Sequence, residues 1–460
     1  MKKIHLLLVL FSLLGWTQIR ADVEIIATNF PDKNFRSYLL SQDYGSDELI
    51  TDEEIASIYT ISVANKGIQS LEGIKFFTAL KSLVCRDNQL FALDVSGCTA
   101  LRSLFCYNNQ LTTLNVSGCT ALKELFCYNN QLTTLNVSGC TALKELDCRE
   151  NQLTTLNISG CTALTTLRCG YNRELMPTVC NQLTALDVSE CTALKELECD
   201  GNQLTKLDVS GCTALERLYC PYNQLTALDV SGCTALTKLD CPYNQLTALD
   251  MSKNTALTSL YCPYNQLTAL DVSGCTALTS LSCGHNQLTA LNVSGCTALT
   301  SLYCSENQLT SLDVSKNTAL TYLDCANNQL TALDVTNNTA LTSLDCSQNQ
   351  IKGVAMDALV ASLPTQTYAY LGVIYNENEG NVMTTTQVAA AKAKGWKPKY
   401  YDGTDWKEYA GSDPTAIESI ESDATASKNG SDVYFDLSGR RVMAPQKGIY
   451  VKNGQKVVVK

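Results

Sequence analysis

Residues 80–100 read Leu-Lys-Ser-Leu-Val-Cys-Arg-Asp-Asn-Gln-Leu-Phe-Ala-Leu-Asp-Val-Ser-Gly-Cys-Thr-Ala, and the phrase recurs every 21 residues until about Gln350. Its central cysteine forms one column of 13: Cys85, Cys106, Cys127, Cys148, Cys169, Cys199, Cys220, Cys241, Cys262, Cys283, Cys304, Cys325 and Cys346. A single nine-residue insertion, residues 173–181, interrupts the spacing. A fixed period of this length means a solenoid, because one such unit cannot bury its own apolar side chains and must be stacked between neighbours.

Within the quoted turn Leu80, Leu83, Cys85, Leu90, Leu93, Val95 and Cys98 point inward, while Ser82, Val84 and Arg86 alternate outward with the period of a strand. Thirteen such strands make one parallel sheet, running roughly 60 Å at about 4.8 Å per strand. A turn of 21 residues is too short for a full crossover helix, so the opposite side is expected to be extended or 3₁₀-like. Asn88 and its equivalents in the later turns mark where the strand turns outward. An inward Asn there can satisfy backbone groups that leave the sheet ladder.

With Leu-x-x-Leu-x-Cys-x-x-Asn-x-Leu as its motif, this stretch resembles the bacterial leucine-rich repeat proteins, and among them the internalin-like group in which Cys replaces a Leu of the strand. The resemblance spans about 270 of the 460 residues, with 13 turns over residues 80–350. It implies an α/β-type solenoid, a curved right-handed coil with a parallel β-sheet on its concave face. It implies less about function, since repeat solenoids bind many unrelated partners.

Lys2 and Lys3, the apolar run 4–14 and Ala21 form a secretory signal peptide over residues 1–21. No later run of 18 apolar residues could span a bilayer, so no transmembrane segment is expected. The expected location is extracellular or on an outer-membrane surface. The chain carries 34 Lys and Arg against 45 Asp and Glu, and loss of Lys2, Lys3 and Arg20 with the signal moves the formal charge from −11 to −14. That balance argues against nucleic acid as a partner and keeps a large exported surface soluble.

Residues 22–79 read as an N-terminal cap, with short helices over 32–40 and 52–57. Asp43, Asp47, Leu49, Ile50 and Glu54 fall at positions 1, 5, 7, 8 and 12 of a calcium loop, but Gly45 replaces the third ligand and Glu48 the required glycine. A capping loop with exposed carboxylates is the alternative, and no metal or other cofactor is assigned.

A count of 23 cysteines in an exported chain would ordinarily signal disulfides. Nine of those outside the strand column, Cys98, Cys119, Cys140, Cys161, Cys191, Cys212, Cys233, Cys275 and Cys296, make a second column on the opposite side, again at a core position. Cysteine that stays reduced packs as a small hydrophobe, so two buried thiol ladders are expected. Asn254, Asn317 and Asn338 replace Cys in the second column, so nothing there is expected to need a thiol. Zinc would need four converging ligands, and no Cys-x-x-Cys occurs. Cys180 stands off both columns, inside the insertion, where it could be exposed, reactive or paired between chains.

The outward positions vary while the frame stays fixed, which makes them the candidate working surface. Phe105, Tyr107, Phe126 and Tyr128 come first, followed by a charged belt of Glu145, Asp147, Arg149, Arg168, Glu196, Glu198 and Asp200. Tyr219, Tyr222, Tyr243, Tyr261 and Tyr264 follow, with Tyr303 and Tyr322 beyond. Two readings stand. Exposed aromatics could grip a protein or stack on sugar rings. Stacking between adjacent turns would instead stiffen the sheet without any ligand. Pro221, Pro242 and Pro263 follow the column Cys at the strand end, where a missing N–H is tolerable.

Residues 351–411 read as a C-terminal cap: a helix over 351–363, a strand over 368–375, a helix opened by the capping box Thr384-x-x-Gln387 and closed by Gly395, and a hairpin over 400–409. Residues 412–431, rich in Ser, Asp, Glu and Ala, read as a linker. Residues 432–460 read as a small β module, with strands over 433–437, 448–452 and 455–459, the last two joined by Asn453-Gly454. Its Val-Tyr-Phe-Asp-Leu-Ser-Gly-Arg-Arg-Val, Lys-Gly-Ile-Tyr-Val and Lys-Val-Val-Val-Lys segments resemble the C-terminal sorting domain of the type IX secretion route, which implies outer-membrane passage and surface attachment or release.

Enzyme chemistry fails on inventory. Beyond the signal the only histidine is His285, without an evident nucleophile beside it in sequence, and no Gly-rich phosphate loop with its Lys follows a strand. The function expected is adhesin-like binding, on the concave sheet, of a host protein or glycan or of another bacterial surface component. The alternative is a structural surface-display protein without a specific ligand.

Overall fold

The computed structural model describes residues 22–171, 181–375 and 379–412, and four strands beyond them. The signal peptide, Cys180 and nearly all of the linker fall outside the described residues. The chain divides into two units, 1–275 and 276–460.

The first unit opens with the cap. Helix α1 (Lys33–Leu40) is started by Asp32, whose Oδ1 accepts from the N–H groups of Asn34 and Phe35 at 2.8 and 2.9 Å. The other oxygen of Asp32 accepts from the Gln69 N–H at 2.8 Å, which ties the cap to the chain entering the first turn. Helix α2 (Asp52–Ser57) begins with a capping box in which Glu54 Oε2 accepts from the N–H and hydroxyl of Thr51 at 2.8 and 2.9 Å. Glu54, the last position of the calcium reading, is thus engaged in starting a helix. Phe30, Phe35 and Phe77 are fully buried and seal this end of the core.

Ten parallel strands then pair in strict register, from Thr60–Ser62 and Ser82–Val84 to Lys238–Asp240 and Ser259–Tyr261. Leucine faces leucine down the middle, as in Leu83, Leu104 and Leu125, and the strand cysteines beside them are fully buried. Each such leucine contributes about 1.5–3 kcal/mol that no isolated turn could realise. The opposite side is extended, with three-residue strands such as Ala92–Asp94 beside Thr113–Asn115. Each is closed by an Asx turn, as where Asp208 accepts from the Ser210 N–H at 3.0 Å.

The asparagine column forms a continuous ladder. Asn130 Nδ2 donates to the carbonyls of Cys106 and Cys127 at 3.1 and 3.0 Å, and its Oδ1 accepts from the Leu111 N–H at 2.9 Å. One side chain therefore serves two turns. At the insertion, Asn181 takes this role, donating to Cys148 and Cys169 at 3.0 and 2.9 Å. Asn181 belongs to the ladder, which corrects the insertion read as 173–181: its last residue is part of the repeat.

None of the 22 described cysteines forms a disulfide, and all are buried. The second column is not indifferent to chemistry, however. Cys212 and Cys233 direct Sγ at the carbonyls of Val188 and Val209 at 3.2 and 3.5 Å, and Asn254 donates Nδ2 to the equivalent carbonyl of Val230 at 3.0 Å. Cys and Asn alternate there because both donate to the turn before, not because the site accepts any small residue.

The second unit continues the same pattern from Ser280–Ser282 through Ser343–Asp345 and carries it into the cap. Ala369–Ile374 pairs parallel with Ser343–Asp345, Trp396–Tyr401 pairs with Ala369–Ile374, and Trp406–Glu408 closes the edge antiparallel. Helices α3 (Val354–Ser362) and α4 (Thr385–Ala393) pack behind, joined by a 2.8 Å bond from Gln387 Nε2 to Asp357 Oδ1. Thr384 and Gln387 form the expected capping box, and Gly395, at φ +83°, ends α4 where a Cβ would strike the Gln366 carbonyl. Among the described residues the small β module has four strands, one more than read from sequence: Arg441–Val442, Tyr434–Phe435, Gly448–Lys452 and Gln455–Val459, in that order and antiparallel.

Candidate functional site

In the first unit the outward aromatics fall into two groups separated by charge. Phe105 and Phe126 occupy the same position of adjacent strands and meet edge to face at 5.2 Å, while Tyr107 and Tyr128 stack at 4.5 Å just past the strand ends. Together with Asp147, Arg149, Glu150 and Arg168 they line a cleft of about 470 Å³.

The arginines of the charged belt are paired within it. Arg149 pairs with Asp147 at 2.8 Å and Glu198 at 3.6 Å; Arg168 pairs with Glu196 and Glu198, both at 3.2 Å; and Arg217, absent from the sequence reading, pairs with Glu196 at 2.7 Å. Burial pushes the Glu196 carboxyl up, but the Arg217 hydrogen bond and the Arg168 charge outweigh it and hold the group low. Glu198 is pushed up by burial and by its contact with Glu196. Such a network orders the face more than it advertises charge.

Tyr219 and Tyr261 lie on strands, as expected. Tyr222, Tyr243 and Tyr264 do not. They sit two residues past the column Cys in left-handed turns with φ of 53–55°, where most other turns place Asp, Asn, Glu, Gln or His. Their rings stack face to face at 4.5 and 4.4 Å, yet remain 49%, 40% and 40% exposed. The prolines before them fit because the amide at that position lies off the sheet ladder. In other turns it turns back to a side chain of its own strand, as Arg149 N–H does to Asp147 at 3.2 Å.

In the second unit Tyr303 and Tyr322 stack diagonally across neighbouring strands at 4.5 Å. Sequence reasoning missed the aromatics of the cap that extend this face: Tyr370 against Trp406 at 5.8 Å, and Tyr375 stacked on Tyr401 at 5.0 Å. The strand read over 368–375 and the hairpin over 400–409 were the available signal, but no 21-residue register reaches them. Beneath Tyr303 and Tyr322, burial raises the Asp324 carboxyl to about 6, with the neighbouring Asp345 adding to the effect. His285 Nδ1 meets Glu306 at 2.6 Å.

Residues 99–139, 276–317 and 297–338 match the family model described as leucine-rich repeats in two copies. No curated protein matches the chain. Among solved structures, the functional domain of InlJ from Listeria monocytogenes, described as including a cysteine ladder, is 34% identical, with a TM-score of 0.55 over 76% of this chain and 81% of that one. The internalin inlF of the same organism is 25% identical, with a TM-score of 0.53 over 75% and 98%. A leucine-rich repeat protein of Leptospira interrogans is also 25% identical, with a TM-score of 0.54 over 68% and 85%. The chain belongs to the leucine-rich repeat proteins of the internalin type.

Proposed function

We propose that this is an exported surface protein that binds a macromolecular partner, a host protein or another bacterial surface component, on the outward face of its strands. The observation that carries this is the run Tyr222, Tyr243 and Tyr264: bulky side chains held three times in succession in a backbone conformation that disfavours them, and left exposed. Tyr243 is stacked on both faces, Tyr222 and Tyr264 on one each. What the stack offers outward is mostly edges and hydroxyls, which suits a protein partner better than a sugar ring needing a free aromatic face. Face-to-face stacking also supports a second reading, a stiffened display scaffold without a ligand.

The signal peptide and the likeness of the C-terminal module to a type IX sorting domain support export to the outer surface. The domain plan read from sequence, with the cap at 22–79, the repeats at 80–350 and the second cap at 351–411, is part of the same proposal. So is the absence of catalysis, which rests on the residue inventory. No helix among the described residues is long and apolar enough to cross a membrane.

The test replaces Tyr219, Tyr222, Tyr261 and Tyr264 together with Ser and measures binding to a panel of matrix proteins, bacterial surface proteins and glycans. Loss of a wild-type hit with the fold intact is expected. A hit that survives removes this face from the mechanism, and silence of the wild type across the panel favours the scaffold.

A further inference from the structure

We infer that the second unit carries a binding slot for a guanidinium group, the arginine side chain of a protein partner, between Tyr322 and Tyr370. Ser343 pairs in register with both tyrosines, one on each side, so the two rings rise from strands two spacings apart, about 9.6 Å, with a half-exposed serine as the floor. That separation leaves room for one planar group. Each wall is braced from outside: Tyr303 stacks on Tyr322 at 4.5 Å, and Trp406 meets Tyr370 at 5.8 Å. Among the described residues no ring contact joins Tyr322 to Tyr370, and the inner side of each ring is left for a ligand.

The end of the slot is acidic. Asp345 lies two residues along from Ser343, and Asp324 is its register partner on the next strand. Both carboxylates are fixed in place: Ser347 donates its N–H and hydroxyl to Asp345 Oδ1 at 3.0 and 2.7 Å, and Ser305 donates its hydroxyl to Asp324 Oδ2 at 3.0 Å. On the following strand Gly372 leaves the space Asp345 occupies, since a Cβ there would lie 2.7 Å from its carboxylate. Among the described residues neither aspartate has an ion-pair partner; Lys399, in register beyond Gly372, makes none with Asp345.

Two half-buried carboxylates beneath two rings repel an anion, and a neutral sugar would leave both charges uncompensated. A cation answers both features, through the ring faces and through the carboxylates. A guanidinium does so better than an ammonium, because it is flat enough to enter between rings and presents paired donors to a carboxylate.

The inference rests on reading the outward face as a binding surface, but it concerns a different part of that face and is tested with a defined probe. The full chain is titrated calorimetrically with acetyl-Gly-Arg-Gly-amide and with the same peptide carrying citrulline or lysine. Saturable binding of the arginine peptide is expected, at least about tenfold weaker for citrulline and weaker for lysine. Asp345→Asn, which keeps the shape of the side chain, and Ser343→Phe, which fills the slot without changing charge, should each weaken it by about tenfold or more while circular dichroism stays native. No saturation up to about 10 mM, equal binding of arginine and citrulline peptides, or unchanged binding by either folded variant overturns the slot. A panel hit that depends on the four tyrosines, in a chain that ignores the arginine peptide, would sink the slot alone.

Discussion

At the scale of single residues, two asparagine columns that look alike in sequence have opposite energetics. Asn223 donates Nδ2 to the carbonyls of Cys199 and Cys220 at 3.1 and 3.2 Å and accepts from the Leu204 N–H at 3.0 Å, so every polar atom of its amide is used. Asn254, in the second column, donates to Val230 and Cys233 at 3.0 and 2.9 Å, but its Oδ1 is buried with no hydrogen-bond partner among the described residues. A buried polar group left unmade costs about 1–3 kcal/mol. Asn223→Ala should therefore destabilise the chain by roughly 3 kcal/mol, orphaning backbone groups in two turns. Asn254→Cys, restoring the commoner residue of its column, should be neutral or stabilising by up to about 1 kcal/mol. Urea unfolding of both variants checks the pair, and equal losses would show that the Asn254 carbonyl is satisfied after all.

Among elements, the strand face of the second unit gathers negative charge under aromatic cover. Burial raises Asp324 to about 6, an effect that its bonds from Ala326 and Ser305 reduce and that Asp345 and Glu306 reinforce. Asp345 is also raised by burial, and Tyr303, Tyr322 and Tyr370 stand over the pair. A carboxyl whose folded pKa lies above its unfolded one binds its proton more tightly when folded. Stability is therefore lowest above pH 6 and grows as the pH falls through 6 toward 4, by up to about 3 kcal/mol from this group. Asp324→Asn should raise the thermal midpoint at pH 7.5 and flatten its rise between pH 7.5 and 5. A wild-type midpoint that falls over that interval would mean that Asp324 is charged and paired.

Over the whole molecule, legibility follows the repeat. Where the 21-residue register runs, sequence alone separates inward from outward: Leu83 and Cys85 from Val84 and Arg86, and it finds the asparagine ladder before any partner is seen. It does not reveal that Arg217 joins Glu196, or that Tyr222, Tyr243 and Tyr264 leave the strand for a left-handed turn, because ion pairing and backbone conformation depend on neighbours the period does not encode. Past Asn349 the register ends, and Tyr370 and Trp406 could be assigned to strands but not to one side of a slot. The same logic makes a turn of the first unit expendable. Residues 225–245 form one period, bounded by Gln224 and Gln245 at equivalent positions, so their deletion joins Gln224 to Leu246 in phase. Stacking energy is a sum of near-identical interfaces. The shortened chain should fold, with a native circular dichroism spectrum and a urea slope lower in proportion to the surface removed. It should also bring Tyr222 onto Tyr264 in place of Tyr243. Deleting residues 225–240 instead breaks the phase and should abolish cooperative unfolding. Equal tolerance of both deletions would mean that the turns do not depend on register, and that register does not set which side chains face outward.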